Sequence, residues 1–124
     1  DYKALAPQMP EIKAEQYTLE FANRDTWKEG LDDDSRKGFN VLKLFKEHGF
    51  EGEIGIGVSD VHVNEIESPE LIRDRILYAA KALDDPTKIY VNPDCGLRTR
   101  TREVSFDKIK SIVNGAELAR KQSL

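Results

Sequence analysis

The sequence predicts an α/β fold built from three parallel strand–helix units. Three short stretches rich in β-branched and aromatic residues alternate with three longer stretches in which apolar residues recur at helical spacing. Short strands that alternate with amphipathic helices form parallel sheets through right-handed crossovers. With 124 residues, 39% of them hydrophobic, the chain has the size of one domain, residues 1–124.

The first unit consists of a strand at residues 17–22 and a helix over about residues 37–48. The strand sequence, YTLEFA, is short and rich in residues that favour β-structure. Gly49 follows the helical stretch and is typical of a C-terminal cap. Three apolar residues share one face of the predicted helix: Val41, Leu42 and Phe45.

The second unit begins with GEIGIGVSD at residues 52–60. Isoleucine and valine alternate there with glycine, which predicts a buried strand that its neighbours approach closely. Ser68 and Pro69 then form a helix start, because the hydroxyl can cap the helix and proline suits its first position. Four residues form an apolar stripe at helical spacing: Ile72, Ile76, Ala79 and Leu83.

The third unit is the strand in KIYVNPDCG, residues 88–96, followed by a loop and a helix over about residues 105–121. An amphipathic helix of this length buries one stripe of side chains against its neighbours. Five residues are predicted to form that stripe: Phe106, Ile109, Ile112, Val113 and Ala116.

Chemically active side chains follow each strand at its carboxyl end. Glu20 lies near the end of the first strand, Asp60 and His62 follow the second, and Asp94 and Cys95 follow the third. Parallel strands place these ends on one edge of the sheet, where the active sites of α/β proteins form. We therefore expect a carboxylate, an imidazole and a thiol to share one surface.

Each of these residues has a structural and a functional interpretation. Cys95 is either a buried, inert cysteine or a zinc ligand or nucleophile held in a strand-end turn. Glu20 is either paired with a cation such as Arg24 or a metal ligand or general base. His62 is a surface histidine, a proton-transfer group or a metal ligand. Turn formation is the commoner role for Asp60 and Asp94, which could also orient the imidazole or the thiolate.

Composition argues against several classes of function. The net charge is −4 with both signs interspersed and no basic block, which argues against binding to nucleic acid or to a membrane surface. No apolar run approaches the roughly 20 residues of a membrane span. The single cysteine cannot form an internal disulfide, so a reducing, cytoplasmic setting is expected.

Two long motifs resemble one family. IGIGVSDVHVNEIESPE and YVNPDCGLRTR are similar to the C-terminal catalytic barrel of cobalamin-independent methionine synthase and its shorter relatives. The similarity extends from QYTLEFAN to VNGAELAR. It implies that the chain is the C-terminal portion of a (βα)8 TIM barrel, because a complete barrel typically takes about 250 residues.

The resemblance implies a zinc-dependent methyltransferase. In that family a zinc ion binds the thiolate of homocysteine, which takes a methyl group from methyltetrahydrofolate or a related donor, such as a methylated corrinoid, to give methionine. The family's ligands are a His-x-Cys pair, a glutamate and the cysteine of NPDCGL. Glu20 and Cys95 match the last two, and His62 matches a histidine that is a candidate catalytic acid.

The His-x-Cys pair would precede this sequence. The expectation is therefore a fragment of a larger enzyme, inactive by itself, whose partners are the substrates and the rest of the barrel or a second chain. Two alternatives are a non-catalytic half-barrel that needs a partner to cover its sheet, and a related thiol methyltransferase or decarboxylase-type barrel enzyme. Three arginines follow Cys95: Arg98, Arg100 and Arg102. They could bind an acidic substrate, but salt bridges to neighbouring barrel elements are the better interpretation.

Overall fold

The protein is a three-stranded parallel sheet in which a helix follows every strand. A computed structural model describes residues 2–123. The strands are β1 (Gln16–Glu20), β2 (Glu53–Ser59) and β3 (Ile89–Pro93), and the helices are α1 (Val41–Glu47), α2 (Pro69–Leu83) and α3 (Arg102–Ser123). The sheet order is β1-β2-β3, with both pairs parallel. The predicted α/β fold of three parallel units is confirmed.

Short 3₁₀ turns complete the described secondary structure and connect the main elements: Tyr2–Leu5, Met9–Glu11, Ala22–Arg24 and Pro86–Lys88. Within residues 2–123, no helix combines the length and the apolar character needed to cross a membrane.

The two faces of the central strand β2 differ in side-chain size. Its branched residues Ile54, Ile56 and Val58 are fully buried in the main core. Glycines occupy the alternate positions, and a Cβ at Gly55 would lie 3.0 Å from Thr18 Oγ1 and closer still to the Asn92 amide. The neighbouring strands therefore place their polar side chains across β2, as the alternation of glycine with branched residues predicted.

The first unit is shorter than predicted at two points. β1 ends at Glu20 rather than at residue 22, and α1 begins at Val41 rather than near residue 37. Turns occupy residues 33–40, where the Asp32 carboxylate accepts hydrogen bonds from Ser35 N (3.0 Å) and Ser35 Oγ (2.7 Å). This side-chain pairing gives the backbone an alternative to helix. The buried face of α1 is as predicted: Val41, Leu42 and Phe45.

The N-terminal end of α2 follows the predicted capping chemistry. Ser68 Oγ accepts a hydrogen bond from Leu71 N (3.1 Å), and Pro69 is the first helical residue. The chain leaves the helix through Asp84, which adopts the left-handed conformation with φ 57°. All four residues of the predicted stripe are buried: Ile72, Ile76, Ala79 and Leu83.

The predicted buried face of α3 is wrong for three of its five residues. Phe106, Ile109 and Val113 are exposed, the first by 68% and the last by 54%, whereas Ile112 is buried and Ala116 partly buried. Among the residues of α3 whose burial is described, the buried ones are Lys108, Ser111, Ile112, Gly115 and Ala119. Polar and small residues of α3 therefore face α2. The side chains of Lys108 and Ser111 bond to Glu67, the residue before the N-cap of α2.

Replacing Gly115 by alanine is expected to destabilise the protein by about 1–3 kcal/mol. Alanine favours helix by about 1 kcal/mol over glycine. However, a Cβ at this position would lie 2.5 Å from Ile72 Cβ and 2.9 Å from Pro69 O, so the two helices must separate. Urea denaturation measures the change. The matched control is Asn114→Ala on the exposed side of α3, which is expected to be neutral or slightly stabilising; equal effects of the two substitutions would contradict the prediction.

Candidate functional site

The carboxyl ends of the three strands meet at one edge of the sheet. Glu20 is the last residue of β1 and lies opposite Gly57 of β2 in the strand register. Asp60 and His62 follow β2 directly, and β3 runs to Pro93, immediately before Asp94. The structure therefore brings the predicted residues to the same edge, although they come from three separate units.

Glu20 and His62 face each other across the ends of β1 and β2. His62 Nε2 lies 3.9 Å from Glu20 Oε1, and the side chains are 61% and 36% exposed, respectively. An exposed pair at this distance contributes little to stability. The importance of the pair is geometric, because the carboxylate and the imidazole face the same solvent-accessible space. Arg24, the alternative partner of Glu20, instead lies over the Tyr2 ring at 5.1 Å.

Asp94 is buried and holds the chain that follows Glu20. Its Oδ1 accepts hydrogen bonds from Phe21 N (3.1 Å) and Ala22 N (3.0 Å), and its Oδ2 accepts one from Asn23 N (2.8 Å). Burial raises the pKa of Asp94 to about 6, against the three N–H groups that favour its charged form. These bonds replace sheet pairing after Glu20, which is why β1 ends there.

Asp60 plays the equivalent part for His62. Asp60 Oδ1 accepts a hydrogen bond from His62 N at 2.9 Å, the geometry of an Asx turn. Its own N–H donates to Glu67 Oε2 at 2.7 Å. The contacts match the turn-forming interpretation of Asp60, and they also fix the backbone that carries the imidazole.

Cys95 is exposed and its thiol is free, so the interpretation as a buried, inert cysteine is wrong. Zinc accepts thiolate, imidazole and carboxylate ligands. Among the described residues, no three histidine, cysteine or acidic side chains cluster closely enough to hold a metal. Residues 2–123 thus offer zinc-compatible donors at this edge without a complete ligand set.

A buried carboxylate behind the site, Glu67, was missed by the sequence analysis. Glu67 Oε1 accepts hydrogen bonds from Ser59 Oγ (3.0 Å) and Lys108 Nζ (3.1 Å). Glu67 Oε2 accepts from Asp60 N and lies 3.4 Å from Arg75 Nη1. One side chain therefore connects the end of β2, α2 and α3. The sequence feature that could have indicated this carboxylate is Arg75, a charged residue between the buried positions of α2, because a buried cation needs an acidic partner.

Arg75 continues this network towards a second buried acid. Its Nε donates to Asp25 Oδ2 at 2.9 Å and its Nη1 to Val58 O at 2.7 Å. Arg36 Nε lies 3.4 Å from the same Asp25 oxygen, and all three side chains are fully buried. Burial raises the pKa of Asp25, and the two guanidinium groups act in the opposite direction. This network anchors the loop between β1 and α1 beneath the site.

The arginines after Cys95 were expected to form salt bridges. Salt bridges to neighbouring barrel elements stay a prediction, and within the described residues Arg100 Nη1 donates a hydrogen bond to the Asn64 side chain at 2.8 Å. This contact connects the loop after Cys95 with the loop after His62. The Cys95 loop and the imidazole loop therefore form one surface.

Replacing Asp94 by alanine should release the backbone after Glu20. Hydrogen bonds to charged acceptors typically contribute about 1.5–3 kcal/mol. We expect hydrogen exchange at the Phe21, Ala22 and Asn23 amides to accelerate by about 10- to 100-fold. NMR-detected exchange measures this. Asp107→Ala, which removes an exposed acid from α3, is the control. Unchanged exchange of the three amides in the Asp94 variant would contradict the assigned role.

The sequence of the chain matches a known protein family. Residues 31–118 match the family model described as the catalytic domain of cobalamin-independent synthase. The chain is 47% identical over 117 residues to a methionine synthase of Thermoplasma acidophilum, covering 91% of this chain and 34% of that protein. It is 32% identical over 126 residues to a methionine synthase of Saccharolobus solfataricus, covering 98% of this chain and 32% of that one. The chain thus spans about a third of the length of these curated relatives.

A solved structure shares the fold. The B12-independent methionine synthase from Shewanella sp. W3-18-1, determined in complex with selenomethionine, superposes with a TM-score of 0.76 at 24% identity. The alignment covers 98% of this chain and 31% of that one. The three parallel units correspond to part of the barrel of that enzyme.

Proposed function

Because this chain belongs to the cobalamin-independent methionine synthase family, we propose that it is the C-terminal part of a zinc barrel that methylates homocysteine. The methyl donor would be methyltetrahydrofolate or a related compound such as a methylated corrinoid. The observation that supports the proposal is that Glu20, His62 and Cys95 lie at or just beyond the carboxyl ends of three adjacent parallel strands. The family match includes the last two of these residues.

Glu20 and Cys95 would hold the zinc ion. The free, exposed thiol and the partly exposed carboxylate are both accessible at the strand ends. They are two of the four ligands used in the family, and the His-x-Cys pair would come from the rest of the barrel or from another chain. When bound, the metal would lower the pKa of the homocysteine thiol so that its thiolate becomes the nucleophile.

A residue of this chain would supply the proton that the leaving group needs. Methyl transfer forms a carbon–sulfur bond and breaks the bond between the methyl group and the donor. If the donor is a methylated folate, the leaving nitrogen must gain a proton, and His62 would be the group that gives it. Asp60 fixes the backbone of His62, while Asp94 fixes the backbone after Glu20. Two buried carboxylates would thus orient the two functional side chains.

Metal binding tests the proposal directly. We would co-express the chain with the remaining two thirds of the Thermoplasma acidophilum relative and measure zinc content and cobalt(II) spectra. We expect about one metal per assembled pair and a thiolate-to-cobalt charge-transfer band. Cys95→Ser should remove the band and weaken zinc binding by more than about 100-fold, because loss of indirect ligand partners alone costs 10- to 100-fold.

Glu20→Gln should also weaken zinc binding, and Glu47→Gln, at an exposed position of α1, is the matched control. His62→Gln should leave zinc bound and lower turnover with homocysteine. The proposal is wrong if the assembled protein binds zinc equally well with Cys95→Ser and Glu20→Gln.

A further inference from the structure

A cavity lined by cations opens beside the end of β1. Its volume is about 270 Å³, and its wall includes Tyr2, Lys3, Arg24, Lys37 and Asn40. Ligand pockets commonly measure about 300–1,000 Å³. The space is therefore suited to one small chemical group or to one end of a larger molecule.

The charged side chains that line this cavity are all positive. Three of its lining side chains are cationic, and no described residue that lines it is acidic. Within residues 2–123, neither Arg24 nor Lys37 forms an ion pair. This local excess contrasts with the net charge of −4 for the whole chain. The like charges of Arg24 and Lys37 repel each other, so a bound anion would stabilise this arrangement.

The segments that carry the two cations are held together. Gly38 N donates a hydrogen bond to the buried carboxylate of Asp25 at 3.1 Å. A Cβ at Gly38 would lie only 2.7 Å from Asp25 N, so the turn after Lys37 rests directly on the backbone after Arg24. Because Asp25 is itself held by two buried arginines, the positions of both cation-bearing segments are set before any ligand binds.

The side chains of the cavity wall are also oriented. The Arg24 guanidinium lies over the Tyr2 ring at 5.1 Å, which restricts it by a cation–π contact. Tyr2 packs edge-on against Phe21, with ring centroids 5.6 Å apart. The Tyr2 hydroxyl accepts a hydrogen bond from Glu20 N at 3.0 Å, which leaves its proton free to be donated. The Asn40 amide adds a further possible donor.

We propose that this cavity binds an anionic group, a phosphate or a carboxylate, through Arg24 and Lys37. A guanidinium and an ammonium group supply the charge-assisted hydrogen bonds that such groups accept. Through Tyr2 the cavity adjoins Glu20, so a molecule anchored here can extend to the strand-end site. The inference concerns the cavity alone and holds whether or not the edge binds zinc.

An NMR titration of the ¹⁵N-labelled chain tests the site. Inorganic phosphate and citrate are added separately at a constant ionic strength of about 0.15 M, so that general screening does not change. We expect saturable shifts at the Gly38 and Asn40 amides with at least one of the two anions. The anion that binds more tightly identifies phosphate or carboxylate as the preferred group.

Three variants locate the binding. Lys37→Gln and Arg24→Gln should each weaken the anion about tenfold, because each removes one charge-assisted hydrogen bond. Lys46→Gln, an equal loss of charge at an exposed position of α1, should leave the affinity unchanged. Lys37 is exposed, so its variant is expected to fold normally even if loss of the Tyr2 contact perturbs the Arg24 variant. Absence of saturable binding, or equal weakening by Lys46→Gln and Lys37→Gln, would overturn the proposal.

Discussion

Replacing Glu67 by alanine is expected to destabilise the protein by about 3–5 kcal/mol. The carboxylate is 1% exposed and accepts hydrogen bonds from Ser59, Asp60 and Lys108, with Arg75 also within ion-pair distance. Among the described residues, removing it leaves the buried Lys108 ammonium with the Glu65 carbonyl as its sole hydrogen-bond partner. A buried charge that loses its counter-ion retains its desolvation cost, which is why the expected effect is large.

Urea denaturation measures this loss, and two further variants define its cause. Glu67→Gln keeps the shape of the side chain but removes its charge, and should destabilise less than alanine does. Glu65→Ala removes an exposed carboxylate two residues earlier and leaves the carbonyl bonded to Lys108, so its effect should stay within about 0.5 kcal/mol. A loss below about 1 kcal/mol for Glu67→Ala would show that the ionic contacts are not formed as described.

Replacing Gly57 by alanine is expected to cost about 3 kcal/mol, at the upper end of the range for overpacking. A Cβ there would lie 2.9 Å from the Cα of Asp94 and 3.0 Å from Leu19 O, and closer still to the Asp94 carboxylate. Two of these atoms belong to the backbone, one in β1 and one in the residue after β3, so a side-chain rotation cannot relieve the contact. The substitution should displace Asp94 and thereby accelerate exchange of the amides at residues 21–23.

Gly96→Ala is the matched control for this substitution. A Cβ at Gly96 would have no atom within 4 Å, and its backbone lies outside the left-handed region. We expect it to be neutral or slightly stabilising, because alanine reduces the freedom of the unfolded chain. Thermal unfolding compares the two variants. A Gly57→Ala protein as stable as Gly96→Ala would contradict the close approach of β3 to β2.

Local periodicity identified the elements because it depends on residues near each other in the chain. The alternation of glycine with branched residues in β2 and the Ser68–Pro69 start of α2 both matched the structure. The boundaries of the first unit were less accurate. There, distant side chains replaced local pairing: Asp94 bonds to Phe21, 73 residues away, and ends β1.

The orientation of α3 shows why the sequence pattern was insufficient. Its most apolar stripe, with Phe106 and Val113, is exposed, whereas Lys108 is buried. A lysine on a helix is normally solvated, and only a partner elsewhere makes its burial favourable. That partner is Glu67, 41 residues away, and nothing local in the sequence indicates the contact.

The sequence by itself determined the three parallel units, the family, and the grouping of Glu20, His62 and Cys95 at one edge. These follow from hydrophobic period and strand direction, which are properties of short segments. The tertiary structure alone decided which polar groups support that edge: Asp94 behind Glu20, and Asp60 with Glu67 behind His62. The physical reason is that a buried charge is stable only beside its counter-charge or donors, and folding brings these together from distant parts of the chain.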